Sequence, residues 1–472
     1  MAIGNDTESA LVKLDPASFK DPSGHVFTVR DRVFRSVTRF AQGDYEYVRD
    51  SGFLRQAIDR GQLIDCVEAT PEEPLPNAPA YVIEHPRLPL ISYPYEWPFS
   101  LLKSAALHHL DLQLDALEHD IALSDSSAYN IQFRGITPIF IDLLSLRRYR
   151  SGEFWAGHRQ FCEQFLNPLL LHAYCGVAHN PWFRGNLEGI PTDDLNRVLP
   201  FWRKLSWNVL SHVTLLARTQ SFSMADRERA IARAAKVRLS KAGYQGILEQ
   251  LRSWIRKLSP RPPSRSPWAD YPDSCIYESE EKNAKMAVVS KFVRNTGARV
   301  LWDLGCNTGE YSEVALKAGA SLVVGFENDP TALEKAYARA RDAGLAFTPL
   351  YSDAANPSPN VGWRQHERRG LKERARCDAV LALAFIHHLV IGRNIPLEEV
   401  IDWITWLAPQ GIIEFVQKDD PTIKQMLALR EDIFEDYSQS AFEAALSQRA
   451  EIVSVDVVSG TGRRLYAFSR AK

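Results

Sequence analysis

The stretch from Val300 to Ser312, VLWDLGCNTGEYS, constrains the fold more than any other part of the chain. An apolar run ends in an acidic residue, and a turn with two glycines and the start of a helix follow. This order is typical of the first strand, turn and helix of a doubly wound α/β sheet, which opens a ligand site at the strand's carboxyl end. Strand-like and helix-like segments then alternate through residues 299–416, which predicts a mainly parallel sheet with helices on both faces.

The turn keeps a glycine pattern with one departure. In Gly305-Cys-Asn-Thr-Gly309 the middle position is Asn307, and Asn is among the few residues other than glycine that tolerate a positive φ. We therefore expect the turn to keep its conformation. Glu310 follows at the helix start, where its charge would repel the phosphates that such a helix terminus otherwise attracts. The turn thus predicts a nucleoside ligand without phosphates.

Acidic residues follow three predicted strands. Asp303 ends the first strand, Glu327 ends the second, and Asp353 comes after the strand-like run at residues 350–352. A carboxylate at the second position can accept hydrogen bonds from both ribose hydroxyls, and Asp353 could take the adenine amino group.

Together these residues resemble the class I S-adenosylmethionine (SAM)-dependent methyltransferases over roughly residues 270–472. The resemblance implies an α/β Rossmann-like domain. It also implies a SAM cleft lined by Asp303, Gly305, Asn307, Gly309, Glu327 and Asp353.

Methyl transfer needs in-line placement of the acceptor and, in some reactions, a base. His387 and His388 follow the apolar run that starts at Ala379, and they are the predicted base candidates. Either could instead cap the strand or pack beneath the cofactor. The Asp/Asn-Pro-Pro-Tyr/Phe motif of amide- and amine-methylating enzymes is absent after this run, which favours transfer to oxygen. Glu414, Lys418 and Asp419 could bind a polar acceptor, although a solvated loop is the favoured interpretation there.

The front part carries a second pattern. Asp125, Asn130 and Asp142 have the spacing of a kinase catalytic loop, a short hairpin and a metal-binding Asp. The segment resembles the protein kinase and aminoglycoside phosphotransferase superfamily over roughly residues 20–250. The resemblance implies an α+β domain with a small β lobe and a helical lobe. Asp125 would orient the acceptor hydroxyl, and Asn130 and Asp142 would hold Mg²⁺ on ATP.

Three departures leave that chemistry open. No glycine-rich phosphate loop is visible, Arg35 stands where a phosphate-binding Lys is expected, and Leu123 replaces the His of the catalytic loop. A catalytically silent domain that binds substrate or a partner is the main alternative to an active phosphotransferase.

A Pro/Ser/Arg-rich segment at residues 259–268 is the predicted linker, because repeated prolines prevent continuous helix. It separates a kinase-like domain at 1–258 from a methyltransferase domain at 269–472. The net charge of −2 creates no global field that would attract nucleic acid or an anionic membrane. No signal peptide or apolar run long enough to span a bilayer is seen, and six scattered cysteines favour a reduced cytoplasm.

The sequence therefore predicts a cytoplasmic SAM-dependent methyltransferase acting on a small polar molecule or glycan, fused to a kinase-like domain that binds substrate or nucleotide. One alternative is a bifunctional kinase and methyltransferase of glycan biosynthesis. Another is an RNA methyltransferase that binds nucleic acid through the basic stretch 227–265, and a third is a regulatory protein that senses SAM.

Overall fold

The computed structural model describes residues 12–70, 78–220, 238–261, 276–428 and 430–470. Parts of the predicted linker 259–268 and of the basic stretch 227–265 lie outside the described residues. The described residues contain no helix that is both long enough and apolar enough to cross a bilayer.

The front part opens with an antiparallel sheet in the order β1-β2-β3-β5-β4. Its strands are β1 (Val12–Leu14), β2 (Val26–Val29), β3 (Arg32–Val37), β4 (Val67–Glu68) and β5 (Tyr81–His85). The helices α1 (Gln42–Asp50) and α2 (Phe53–Asp59) lie between β3 and β4.

Two small strand pairs follow the long helix α3 (Phe99–Glu118). In one pair β6 (Ile121–Leu123) lies antiparallel to β9 (Leu146–Arg148), and in the other β7 (Ile131–Arg134) forms a hairpin with β8 (Thr137–Phe140). The predicted hairpin is therefore confirmed. It brings the polar residues at the end of β6 close to those that follow β8.

Among the described residues, the rest of the front part is mostly helical, as predicted. Its helices are α4 (His158–Phe161), α5 (Asn167–Leu170), α6 (Asn180–Gly185), α7 (Thr192–Val198), α8 (Phe201–Lys204), α9 (Trp207–Val209), α10 (Leu215–Gln220) and α11 (Lys241–Lys257). Three wider π-helical turns interrupt them, at Cys162–Leu166, Leu171–Cys175 and Leu210–Thr214.

The C-terminal part is built on a seven-stranded sheet in the order β12-β11-β10-β13-β14-β16-β15. The strands are β10 (Val300–Leu304), β11 (Leu322–Glu327), β12 (Phe347–Tyr351), β13 (Ala379–Ala382), β14 (Gln410–Phe415), β15 (Glu451–Val457) and β16 (Arg464–Ser469). Pairs among β10 to β14 are parallel, and β16 is antiparallel to both its neighbours. This sheet confirms the predicted Rossmann-like domain.

Helices connect these strands and cover the sheet. They are α12 (Ile276–Thr296), α13 (Glu310–Lys317), α14 (Pro330–Asp342), α15 (Leu371–Arg374), α16 (Ile386–Arg393), α17 (Leu397–Leu407), α18 (Pro421–Leu427) and α19 (Gln439–Ser447). The apolar run from Ala379 to Ile391 contains both a strand and the greater part of a helix. It divides into β13 and the start of α16. The sequence pattern does not separate these elements, because a buried strand and a buried helix are both continuously apolar.

The two parts pack directly against each other. Ser100 at the start of α3 donates its backbone N–H to Glu334 of α14 at 3.1 Å, and Thr348 Oγ1 of β12 donates to the carbonyl oxygen of Gly135 at 2.9 Å. One apolar cluster contains residues from α3 as well as Trp302 and Phe326 of the large sheet. The hairpin β7–β8 thus rests on the edge of the C-terminal sheet at β12.

Candidate functional site

The candidate site lies at the carboxyl ends of β10 and β11, the two strands whose ends carry Asp303 and Glu327. In the register of this parallel pair, Asp303 is opposite Gly325. The chain crosses from β10 to β11 and β12 on one side and to β13 and β14 on the other. A doubly wound sheet binds its ligand in the crevice at this switch point.

The turn after β10 has the backbone that the sequence predicts. Gly305, Asn307 and Gly309 all have positive φ, at 71°, 48° and 80°. The expectation that Asn307 would tolerate this conformation is confirmed. The two glycines are required for a second reason, since a Cβ on Gly305 would lie 2.9 Å from the ring of Phe385, and one on Gly309 would lie 2.5 Å from the ring of Phe347.

Glu327 ties this turn to the next strand end. Its Oε2 accepts the backbone N–H of Asn307 at 3.1 Å, and its Oε1 accepts those of Asn328 at 2.7 Å and Asp329 at 2.9 Å. Burial raises the pKa of Glu327 although these three donors oppose the shift. A carboxylate has about four acceptor positions. One therefore remains for a hydroxyl of a ligand in the crevice.

Asp303 is buried beneath the turn that follows β10. It is 2% exposed and accepts the hydroxyl of Ser312 in α13 at 2.7 Å. Burial raises its pKa to about 6, with the Ser312 hydrogen bond acting in the opposite direction. Its carboxylate therefore joins the end of β10 to α13, the two elements on either side of the turn.

Asp353 lies after β12 and is half-buried. Its Oδ1 accepts the backbone N–H of Ala355 at 3.0 Å, and its Oδ2 is 3.5 Å from Arg393 at the end of α16. The contact with the adenine amino group stays a prediction. Arg393, which the sequence interpretation missed, now belongs to this edge of the crevice.

The two histidines lie in the first turn of α16. His387 is 1% exposed, and the two rings are 4.2 Å apart. Burial lowers the pKa of His387 well below its usual range, and the neighbouring His388 lowers it further. His387 is therefore neutral near pH 7, and its Nδ1 is buried without a hydrogen-bond partner among the described residues.

A buried group of charges adjoins His387. Glu414 of β14 is fully buried, and its Oε1 is 2.8 Å from Lys285 Nζ of α12, which is itself 5% exposed. Arg463 lies 3.6 Å from the same oxygen and pairs with Asp420 at 2.8 Å. Sequence reasoning missed Lys285 and Arg463, because no motif links a helix before the first strand to a loop before the last.

The three residues considered as possible acceptor ligands, Glu414, Lys418 and Asp419, have different surroundings in the structure. Glu414 accepts the backbone N–H of Ala384 at 2.9 Å, and Ala384 has a positive φ of 48°. Lys418 pairs with Asp432 at 3.0 Å, and Asp419 is exposed. Glu414 therefore shapes the turn between β13 and α16, and the solvated-loop interpretation suits the other two residues.

The three residues predicted in the front part are brought together. Asn130 Nδ2 lies 3.1 and 3.3 Å from the two carboxylate oxygens of Asp125. Burial, and next the charge of Asp142, raises the pKa of Asp125 to about 7.

Arg35 of β3 occupies the position beside Asp142. Its Nη1 is 2.7 Å from Asp142 Oδ1, its other terminal nitrogen pairs with Asp21, and it is 7% exposed. A guanidinium keeps its charge at all physiological pH values. The Arg35 guanidinium therefore supplies positive charge beside Asp142, where Mg²⁺ was expected. While Arg35 occupies this position, the residues present do not fit the predicted metal site.

The sheet order, the glycine turn and the acidic strand ends define the class of the C-terminal part, an α/β domain of the methyltransferase fold. No protein-family model matches the chain. The chain is 45% identical over 457 residues to nodulation protein NoeA of Rhizobium meliloti (strain 1021). The aligned residues cover 96% of each protein. The chain therefore belongs to the NoeA family.

Solved structures with similarity to the chain include methyltransferases. One is magnesium protoporphyrin IX methyltransferase (ChlM) from Synechocystis PCC 6803 with bound SAH, at 17% identity and a TM-score of 0.30, covering 42% of this chain and 90% of that one. Another is the methyltransferase domain of bacterial CtHen1-C, at 16% identity and a TM-score of 0.30, covering 41% of this chain and all of that one. The kinase-like assignment of the front part gains no support from these comparisons.

Proposed function

We propose that this protein is a SAM-dependent methyltransferase whose cofactor lies between the turn 305–309 and Glu327. The observation that carries the proposal is the link between the Asn307 N–H and Glu327 Oε2, which brings the glycine turn and an acidic strand end to one crevice. A carboxylate there suits ribose hydroxyls, and Glu310 at the helix start disfavours phosphates.

Calorimetric titration of SAM tests the cofactor assignment. Glu327→Gln removes the charge that would accept a ribose hydroxyl, and we expect SAM affinity to fall by roughly 10- to 100-fold, as for the loss of one charged hydrogen bond. Glu398→Gln is the matched control, since Glu398 is exposed at the start of α17. Equal SAM affinity in wild type and Glu327→Gln would contradict the assignment.

The proposed acceptor is a small polar molecule or glycan, methylated on oxygen. Support comes from the near-neutral chain, the missing amide-methylating motif and the neutral, buried His387 close to the carboxyl end of β13. Labelled methyl transfer from SAM to a fractionated polar extract tests it. Transfer only to RNA, with steep loss of binding at higher salt, would favour the nucleic-acid alternative.

Comparison of His387→Gln and His388→Gln tests the proposed base. A general base contributes typically about 10²- to 10⁴-fold to the rate, so one variant should lose that much kcat while SAM affinity is kept. A loss of SAM affinity without a specific loss of kcat would assign that histidine to packing beneath the cofactor.

For the front part we propose a kinase-like domain that transfers no phosphate. A small antiparallel sheet, a helical lobe and the Asp125–Asn130–Asp142 group, in that order, support a kinase-like architecture. The Arg35–Asp142 contact supports the absence of phosphate transfer. Titration with ATP and Mg²⁺ tests it. Binding of ATP that Asp142→Ala abolishes would instead favour the bifunctional alternative.

A further inference from the structure

Three side chains of the types that ligate metals meet inside the helical half of the front part, and none of them belongs to either predicted site. His158 Nε2 lies 3.0 Å from His212 Nδ1 and 3.7 Å from Cys162 Sγ. All three ligand atoms are within 4.8 Å of one another. Cys162 is fully buried and His212 is 5% exposed, while His158 is only partly buried.

These distances match those between ligands of one tetrahedral ion. With Zn–N bonds of about 2.0–2.1 Å and Zn–S bonds of about 2.3 Å, two nitrogen ligands lie about 3.4 Å apart, and a nitrogen and a sulfur about 3.6 Å. The observed 3.0 and 3.7 Å lie within a few tenths of an ångström of those values. Small side-chain movements would therefore be enough to bind an ion.

The backbone around the three residues is unusual in the same places. His158 and Cys162 are one helical turn apart, and Cys162 begins the π-helical turn 162–166. His212 is in the middle of the π-helical turn 210–214. Wider turns of this kind occur frequently at functional sites. Two such turns, 162–166 and 210–214, therefore meet at the three ligands.

The surroundings also suit bound metal. The ring of His158 lies beside Trp155, with centroids 5.4 Å apart, and the ring of His212 lies beside Trp254, with centroids 6.2 Å apart, so aromatic side chains line the site. The Nε2 of His212 is buried without a hydrogen-bond partner among the described residues, and the side chain of Gln250, which donates to Asn208 at 2.9 Å, lies beside this ring. A hydrogen bond from His212 Nε2–H to the side-chain oxygen of Gln250 would orient the imidazole as a metal ligand.

We propose that His158, Cys162 and His212 bind one Zn²⁺ ion, with water in the fourth position, and that the ion joins α4 and the π-helical turn 162–166 to the π-helical turn 210–214. Two imidazoles and one thiolate are a ligand set that zinc prefers over Mg²⁺ or Ca²⁺. On binding, the Cys162 thiol forms the Zn–S bond and releases its proton to solvent.

Cobalt substitution tests this site. The chain is dialysed against a chelator and titrated with Co²⁺, and we expect one equivalent to give a thiolate-to-cobalt charge-transfer band together with visible d–d bands of tetrahedral intensity. Added Zn²⁺ should remove both, and calorimetry in buffers of different ionisation enthalpy should show release of about one proton per ion.

Variants assign the ligands. Cys162→Ser should abolish the charge-transfer band and His212→Gln should weaken metal binding by at least 10-fold. Cys175→Ser is the matched control, because Cys175 lies in another π-helical turn of the same helical half and is only partly buried. A folded wild-type chain that gives no charge-transfer band, or a band that persists in Cys162→Ser, would overturn the proposal even if other variants fail to fold.

Discussion

Glu96 and Arg374 form a buried ion pair that joins the front part to the C-terminal part. Arg374 Nη1 is 3.1 Å from Glu96 Oε2, and its other terminal nitrogen donates to Oε1. Both side chains are at least 93% buried, and the guanidinium also lies 4.5 Å from the ring of Tyr93. The aromatic segment 93–98 is thus a packed junction and is not an open stacking surface.

Removal of one partner of this pair should destabilise the protein strongly. Glu96→Ala leaves a buried guanidinium without its carboxylate, and we expect a loss of about 3–5 kcal/mol in the free energy of unfolding. Arg376→Ala is the control, because Arg376 is exposed and its ion pair with Asp31, at 4.0 Å, is long. Denaturation monitored by tryptophan fluorescence measures both. An unchanged midpoint in Glu96→Ala would mean that the two parts are held together without this pair.

The raised pKa of Asp303 should make the free energy of unfolding depend on pH. Its folded pKa of about 6 lies above an unfolded value of about 3.9, so wild type loses stability as pH rises from about 4 through about 6. Asp303→Asn cannot ionise, and its stability relative to wild type should therefore increase by up to about 3 kcal/mol between pH 4 and pH 7. Urea unfolding without SAM at both pH values measures this difference. Asp436→Asn, at an exposed position, should follow wild type.

Gly309→Ala should damage the cofactor turn. A φ of 80° costs a residue with a Cβ about 1–2 kcal/mol, and the new methyl would also clash with Phe347. We expect weaker SAM binding and a lower midpoint of unfolding. Gly344→Ala has a positive φ of 59° but open space around its Cβ, so it should show only the backbone cost. Partial rescue of Gly309→Ala by Phe347→Leu would demonstrate the clash.

Arg35→Ala removes the cation between Asp21 and Asp142. We expect a loss of roughly 1–3 kcal/mol, since both carboxylates keep some exposure to water. Arg32→Ala, on the same strand and in an exposed ion pair with Glu84, is the control. If Asp21 and Asp142 bind Mg²⁺ once Arg35 is removed, millimolar Mg²⁺ should restore part of the stability that Arg35→Ala loses. It should not change the stability of the Arg32→Ala control. No effect of Mg²⁺ on either variant would exclude a latent metal site.

Local patterns were enough to predict the α/β domain. Val300 to Ser312 encodes a strand, a turn and a helix within 13 consecutive residues, and both glycines and Asn307 have the positive φ that the turn requires. Because each of these requirements is local, propensity and backbone sterics decide them without help from distant residues. The β7–β8 hairpin was instead predicted from the kinase-like spacing of Asp125, Asn130 and Asp142.

The sequence by itself determined the order of strands and helices, the turn at Gly305 and the acidic ends of β10 and β11. Tertiary structure alone decided which side chains face each other, such as Arg35 with Asp142, Lys285 with Glu414 and His158 with His212. These pairs join residues more than 50 positions apart. Their contacts depend on how packed elements bring distant segments together, and no short sequence window carries that information.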